Sequence, residues 1–493
     1  WFLAVRAQQY SNVVIYGAGS SGVQLESAMK HNPDIKIIAF LDDDPKIQGR
    51  YIEGIRIQKP SSLPSLIEKK GVSEVLLAIP SISRSKTHNL LQSLKQYPVV
   101  IRTLPGLSDL AQGRVSVSDL KKINIEDLLR RQVRKPNIQL LKQDVEQKNV
   151  LITGAGGSIG SELCRQIIRQ NPKTLILFDI SEFSLYSIES DLVAINQNIR
   201  LVTILGDVKN GTKLEKVMTK FMVHSVYHTA AYKHVPMVEK NPIAAVRTNI
   251  FGTLSCIKAA IAGNVESFVF ISTDKAVRPT NIMGATKRFA ELILQATAQR
   301  ELRDGKQNNI RISMVRFGNV LGSSGSAVPL FRKQIKAGGP VTVTDPKIIR
   351  YFMTITEASQ LVIQAGAMGS EGDIFLLDMG ECIKVVDLAK DMIKLSGMTV
   401  KDENNPDGDI EIIFTGLRPG EKLYEELLID ENAKSTKHNK IMRATEKGIK
   451  WDDLQLYLSE LEQAVKQEDH KTIRKIFLNT VTGFSPDSDI LDA

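Results

Sequence analysis

"NVLITGAGGSIGSELCRQII" (residues 149–168) runs from an apolar stretch through a glycine-rich turn into a helix-forming segment. Its spacing is T-G-x-x-G-x-x-G, at Thr153, Gly154, Gly157 and Gly160. The first glycine permits a tight turn. The second lets backbone amides approach a pyrophosphate at the helix N-terminus, with Ser158 and Ile159 beside it, and the third lets helix and strand pack closely. Nineteen residues after Gly160 the next apolar run, "TLILFD", ends at Asp179. A carboxylate there accepts both ribose hydroxyls and repels a 2′-phosphate, which favours NAD over NADP. Downstream, Asp207 and Val208 in "GDV" fall beside the adenine, and "TAAYKHV" (229–235), with Ala230, Ala231 and Lys233, lines the far side of the cofactor.

The same pattern occurs earlier. "NVVIYGAGSSGVQLESAMK" (12–30) has G-x-G-x-x-G at Gly17, Gly19 and Gly22, and Asp42 follows 20 residues later. It competes as a second dinucleotide site. However, Asp42, Asp43 and Asp44 open a polar turn and no catalytic constellation follows, so assembly or regulation is the favoured use of that fold. Short β-branched runs such as "SEVLLAIP", "HSVYHTAA", "SFVFISTD" and "RISMVRFGNV" read as buried parallel strands. The expected fold is α/β: two Rossmann-like doubly wound parallel-sheet domains, the second with a smaller C-terminal substrate-binding subdomain. The expected divisions are 1–104, a basic connector 105–148, and 149–493, with the substrate subdomain mainly from about 322 onward. Residues 452–477 read as a structural pair of amphipathic helices.

A chain of 493 residues exceeds what one core supports. The three cysteines, Cys164, Cys256 and Cys382, have no spacing that suggests zinc or a disulfide framework. No apolar run is long enough to cross a bilayer. The chain does not begin with Met, and "WFLAVRA" reads as the tail of a longer segment. Most of the net charge of +9 sits in residues 1–148, which hold 22 Lys and Arg against 14 Asp and Glu. The densest cluster, "LLRRQVRK" (128–135), suits a solvated linker or contact with anionic lipid on the cytoplasmic side of a membrane. No basic helix with interleaved aromatics accompanies it, which argues against nucleic acid.

The chemistry centres on "STDKAVRPTNIMGATKR" (272–288). Thr273, Asp274 and Lys275 follow a strand and so emerge at the carboxyl edge of the sheet, where substrates bind. Lys287 holds the lysine position of a Tyr-x-x-x-Lys pair, but the tyrosine position is Met283, and a thioether carries no proton. Together with "TGAGGSIGSEL", "HTAAYKHVPMVE", "TNIFGT", "RFGNVLGSSGSAVPLF" and "GLRPGEKLYEEL", this run resembles extended short-chain dehydrogenase/reductases, specifically the membrane-anchored UDP-N-acetylglucosamine 4,6-dehydratases of bacterial polysaccharide and glycan biosynthesis.

The resemblance implies a lyase with tightly bound, recycled NAD, acting on a UDP-N-acetylhexosamine. It further implies a homo-oligomer at the cytoplasmic side of the inner membrane, anchored by preceding transmembrane helices. Asp274 would protonate the leaving 6-hydroxyl, Lys275 would be the base at C5, and Thr273 would relay the 4-hydroxyl proton. Asp274 must then be raised in pKa, and Lys275 lowered by burial and by Lys287. Met283 packs in the core. Asn249 and Lys287 join the cofactor contacts, while Lys233, Asn319, Arg350, Arg418 and Glu421 meet the substrate and "VTVT" (341–344) flanks the uracil. No metal is implied. A nucleotide-sugar epimerase, or a non-catalytic nucleotide-binding scaffold, is the alternative.

Overall fold

The computed structural model describes residues 11–79 except 31 and 33, 89–103 except 92, 95 and 96, 121–122, 136–303, 310–426 and 433–486. The chain divides into two compact units, one of residues 1–130, 330–343 and 385–415, the other of 131–329, 344–384 and 416–493. Each grows from one of the glycine turns.

In the first unit, β1 (Ser11–Tyr16), β2 (Ile35–Leu41), β3 (Tyr51–Ile52), β4 (Ile55–Gln58), β5 (Val72–Leu77), β6 (Val100–Thr103) and β7 (Lys121–Lys122) form a sheet in the order β3-β4-β2-β1-β5-β6-β7. Its centre is parallel. Val13, Ile15, Leu25, Phe40 and Leu76 fill its core.

In the second unit, β8 (Asn149–Thr153), β9 (Thr174–Asp179), β10 (Arg200–Leu205), β11 (Ser225–His228), β12 (Ser267–Ile271) and β13 (Arg311–Arg316) run parallel in the order β10-β9-β8-β11-β12-β13. The sheet then adds a parallel β17 (Glu371–Leu377) and antiparallel β22 (Ile441–Ala444) and β21 (Ala433–Ser435). Strand order reverses between β8 and β11, which opens a crevice at their carboxyl ends. The continuous apolar runs make sense here because both faces are covered. Val150 and Ile152 of β8 enter one core with Leu175 and Leu177 of β9, while Leu151 enters the other with Ile176 and Phe178. Helix Ile282–Arg303 is buried along most of its length, and the expected helix pair is present as Trp451–Lys466 and His470–Thr480, with Phe477 against Phe289 at 6.0 Å.

The region from about 322 onward, expected to form a substrate subdomain, is divided between the two units. A sheet of β14 (Asn319–Val320), β16 (Ile349–Met353) and β18 (Cys382–Lys384) belongs to the second unit. A sheet of β15 (Val341–Val343), β19 (Val400–Lys401) and β20 (Ile410–Phe414) belongs to the first. "WFLAVRA", "LLRRQVRK" and residues 105–120 and 123–135 of the connector lie outside the described residues. The connector's described end is helix Ile138–Gln143, tied to the second unit where Gln364 Oε1 accepts from the Asn137 amide at 2.8 Å. No described helix is long and apolar enough to cross a membrane.

Candidate functional site

The turn after β8 leaves no room for side chains. A Cβ on Gly160 would meet the Gly154 carbonyl oxygen at 2.0 Å, and one on Gly154, at φ +67°, would meet the Ala230 amide at 2.8 Å. Gly156 lies equally close to Ser184 and donates its amide to Asp179 Oδ2 at 2.8 Å, while Ser181 donates to Oδ1 at 2.9 Å. Asp179 is thereby fixed at the rim of a cavity of about 550 Å³, within the size range of small-molecule sites. Gly154, Gly157, Ser158, Ile159, Gly160, Asp179, Asp207, Val208, Ala230, Ala231, Lys233 and Lys287 all line that cavity. A glycine cradle, a free helix N-terminus and a terminal carboxylate fit a dinucleotide. Ser324 extends the cradle: its amide donates to Ser158 Oγ at 3.1 Å, and the two hydroxyls bond each other at 3.2 Å.

Two expected cofactor contacts turn away from the cavity. Thr153 is fully buried, and its hydroxyl meets His228 Nδ1 at 2.7 Å. The Thr253 hydroxyl donates to the Asn249 carbonyl, so it accepts from His228 Nε2 at 3.1 Å, leaving Nδ1 to accept from Thr153. Burial, and secondarily the charge of Lys287, push this imidazole down to about 3. Asn249 lies in the π-turn Val246–Phe251 and spends its amide on both backbone groups of Tyr232 and on Thr286 Oγ1. It positions the "TAAYK" loop rather than touching the cavity.

At the end of β12, the Thr273 hydroxyl donates to Asp274 Oδ1 at 2.9 Å, and Lys275 Nζ meets the same oxygen at 3.0 Å. Thr273 and Lys275 line the cavity, while Asp274 sits just beneath, 1% exposed. A Cβ on Gly318 would stand 2.9 Å from Asp274 Oδ2, an oxygen with no hydrogen-bond partner. Gly284 allows the following helix to close onto the turn, since its Cβ would fall 2.1 Å from the Lys275 carbonyl oxygen. Met283 is buried in the core as expected, and it also walls the cavity. Lys287 Nζ lies 4.0 Å from the Phe270 ring centroid, and burial lowers it to about 7.

The charge state of Lys275 departs from expectation. Burial by itself lowers it, but the carboxylates of Asp274 and Glu425 outweigh burial and hold the ammonium above the ordinary lysine value. The cation that opposes them is Arg350, where Lys287 was expected. Glu425 reaches Lys275 at 3.5 Å and Arg350 at 3.8 Å; its side chain is 3% exposed and its Oε2 has no partner. Nothing at sequence level marked it. A second acidic residue four positions after Glu421 looks like one more turn of a polar segment.

Arg350 does not face the cavity. Its guanidinium donates to the carbonyls of Ile349, Lys422 and Leu423 at 2.7–3.1 Å and approaches Glu421 and Glu425, clamping residues 421–425 to β16. Both terminal nitrogens of the guanidinium are thus used to hold that segment, and Arg350, expected at the diphosphate, does not line the cavity. Arg418 is exposed on the adjoining turn, whose amide donates to Glu421 Oε2 at 3.2 Å. Asn319 lines the cavity with Oδ1 3.5 Å from Lys275 Nζ. In "VTVT", Val341 and Val343 are buried and Thr342 bonds Gln334, so the segment serves as a strand. Among the described residues, no group of His, Cys, Asp and Glu could hold a metal.

Residues 150–446 match the family described as "Polysaccharide biosynthesis protein", and residues 9–67 match "C2185-like, N-terminal". The capsular polysaccharide biosynthesis protein CapD of Staphylococcus aureus is 44% identical over 422 residues, covering 84% of this chain and 68% of its own. The probable polysaccharide biosynthesis protein EpsC of Bacillus subtilis is 44% identical over 423 residues, covering 85% and 68%. Among solved structures, Pen from Bacillus thuringiensis is 36% identical, with a TM-score of 0.54 over 62% of this chain and 92% of its own.

Proposed function

The chain belongs to the polysaccharide biosynthesis protein family of extended short-chain dehydrogenase/reductases, and from that premise we propose that it is a nucleotide-sugar enzyme, a 4,6-dehydratase of a UDP-N-acetylhexosamine, UDP-N-acetylglucosamine first among them. The observation that carries this reading is the hydrogen-bonded run Thr273–Asp274–Lys275 at the cavity floor, beside a buried Met283 where a tyrosine would otherwise move the proton. Gly154, Gly157, Gly160 and Asp179 would hold NAD, which when bound would supply reversible hydride acceptance from the sugar.

The remaining work belongs to the chain's own side chains. Thr273 accepts the 4-hydroxyl proton as its own passes along the 2.9 Å bond to Asp274. Asp274 then holds the proton that the departing 6-hydroxyl needs to leave as water. One proton thus enters the relay from O4 as another leaves it with the departing water, and no other donor is required. Lys275 takes the proton from C5 and returns it, so it must first shed the proton that its carboxylate neighbours hold there. Lys287 supplies positive potential beside the ribose. Arg418, exposed at the edge, serves the diphosphate with its planar fork.

The test is turnover of UDP-N-acetylglucosamine in D2O followed by proton NMR. The expected product is a 4-keto-6-deoxy sugar nucleotide carrying deuterium at C5. A simple C4 epimer would support the epimerase reading instead, and no change with NAD bound would support a scaffold. Asp274→Asn and Lys275→Ala are each expected to abolish product while retaining NAD, and normal turnover by either variant would refute its assigned role.

A further inference from the structure

Lys275 sits between two carboxylates, Asp274 at 3.0 Å and Glu425 at 3.5 Å. Arg350 also approaches Glu425, at 3.8 Å, yet these cations leave both carboxylates incompletely bonded. Each carboxylate keeps one oxygen, Asp274 Oδ2 and Glu425 Oε2, buried and without a hydrogen-bond partner. An orphaned buried carboxylate oxygen is costly while the group is charged, and much less so once the group carries a proton. In the proposed cycle Asp274 already receives the 4-hydroxyl proton, so it cannot also discharge Lys275. Glu425 is left as the acceptor.

We propose that Glu425 is the positioning residue that takes the proton from Lys275, which turns that lysine into the C5 base when substrate seals the site. One Nζ–H bond breaks and one carboxyl O–H forms, and the cluster's total charge does not change. The charges facing Glu425 are Lys275 and Asp274 from the turn after β12, Arg350 from β16, and Lys422 on its own segment. Burial raises the Glu425 carboxyl above the ordinary range, ahead of the opposing pull of Lys275. The clamp from Arg350 onto residues 422 and 423 holds the segment at that distance.

An internal transfer of this kind has a kinetic signature. Moving a proton from Lys275 to Glu425 neither consumes nor releases a proton from solvent, so this step adds no pH dependence of its own around neutrality. The inference rests on the dehydratase reading, so wild-type formation of the 4-keto-6-deoxy product is established first; its failure would count against that reading. Glu425→Gln keeps the shape but cannot accept the proton, and its Lys275 must discharge to solvent. The expected result is a kcat–pH profile with an additional acid limb that wild type lacks, falling about tenfold per pH unit below the pKa of Lys275 itself, while any limb from Lys287, lowered to about 7, is common to both enzymes. Glu425→Asp, which keeps an acid at that place, is expected to lack the limb even if its kcat is lower. A Glu425→Gln profile merely scaled down and parallel to wild type, or the same limb in Glu425→Asp, would overturn the proposal.

Discussion

Gly318 shows how one missing methyl group governs a charged centre. A Cβ there would stand 2.9 Å from Asp274 Oδ2 and 3.2 Å from the Met379 side chain, both buried, so the carboxylate must shift to admit it. Gly318→Ala is expected to lower kcat on the order of 10- to 100-fold by displacing the acid, with NAD retained. Unchanged turnover would show that Asp274 need not stay where it is. The Thr-Asp-Lys run was legible because its three members are contiguous and follow a strand. Gly318 was not, because a glycine after "VRF" has no chemistry of its own until the fold brings it over a carboxylate 44 residues earlier.

At the scale of elements, polar groups buried between strands and helices hold the site's geometry. Arg316 on β13 is fully buried between Glu291 of helix Ile282–Arg303 and Glu446, and Ser272 donates to Glu291 at 2.6 Å. That network ties the end of β12 to the helix that carries Lys287. His228, on β11, is held neutral in the same way. Its native pKa of about 3 lies below the unfolded value of 6.5, so the unfolded chain binds more protons between those limits. Its contribution is complete above pH 6.5 and is lost as pH falls, at about 1.4 kcal/mol per unit. Between pH 6.5 and 5, wild type is expected to lose about 2 kcal/mol more than His228→Gln in urea unfolding followed by Trp451 fluorescence. Equal losses would mean that the imidazole is not held neutral.

For the whole molecule, thiol accessibility gives a direct measure of the cores. Cys164 and Cys256 are buried and raised by that burial, whereas Cys382 on β18 is exposed. The native protein is expected to react with one equivalent of an aromatic disulfide reagent, and the denatured protein with all three. Two fast equivalents would mean that a face of the second sheet opens readily. The division of the chain itself follows contact rather than sequence order, since 330–343 and 385–415 group with residues of the first unit.

Local pattern determined the two glycine turns, the parallel order around β8 and the ends of β9 and β12. These depend on spacing within one strand–turn–helix unit, where sterics leave little choice. It also marked Asp179, Thr273, Lys275 and Lys287, each fixed by its distance from such a unit. What tertiary structure alone decided was the use of charge. Arg350 clamps the 421–425 segment and does not line the cavity, Thr153 and Asn249 turn inward to pin neighbouring loops, and Lys275 is held protonated by Asp274 beside it together with a glutamate 150 residues away. Burial and the sign of the nearest partner set a side chain's protonation and hydrogen bonds, and both come from segments that meet only when the chain has folded.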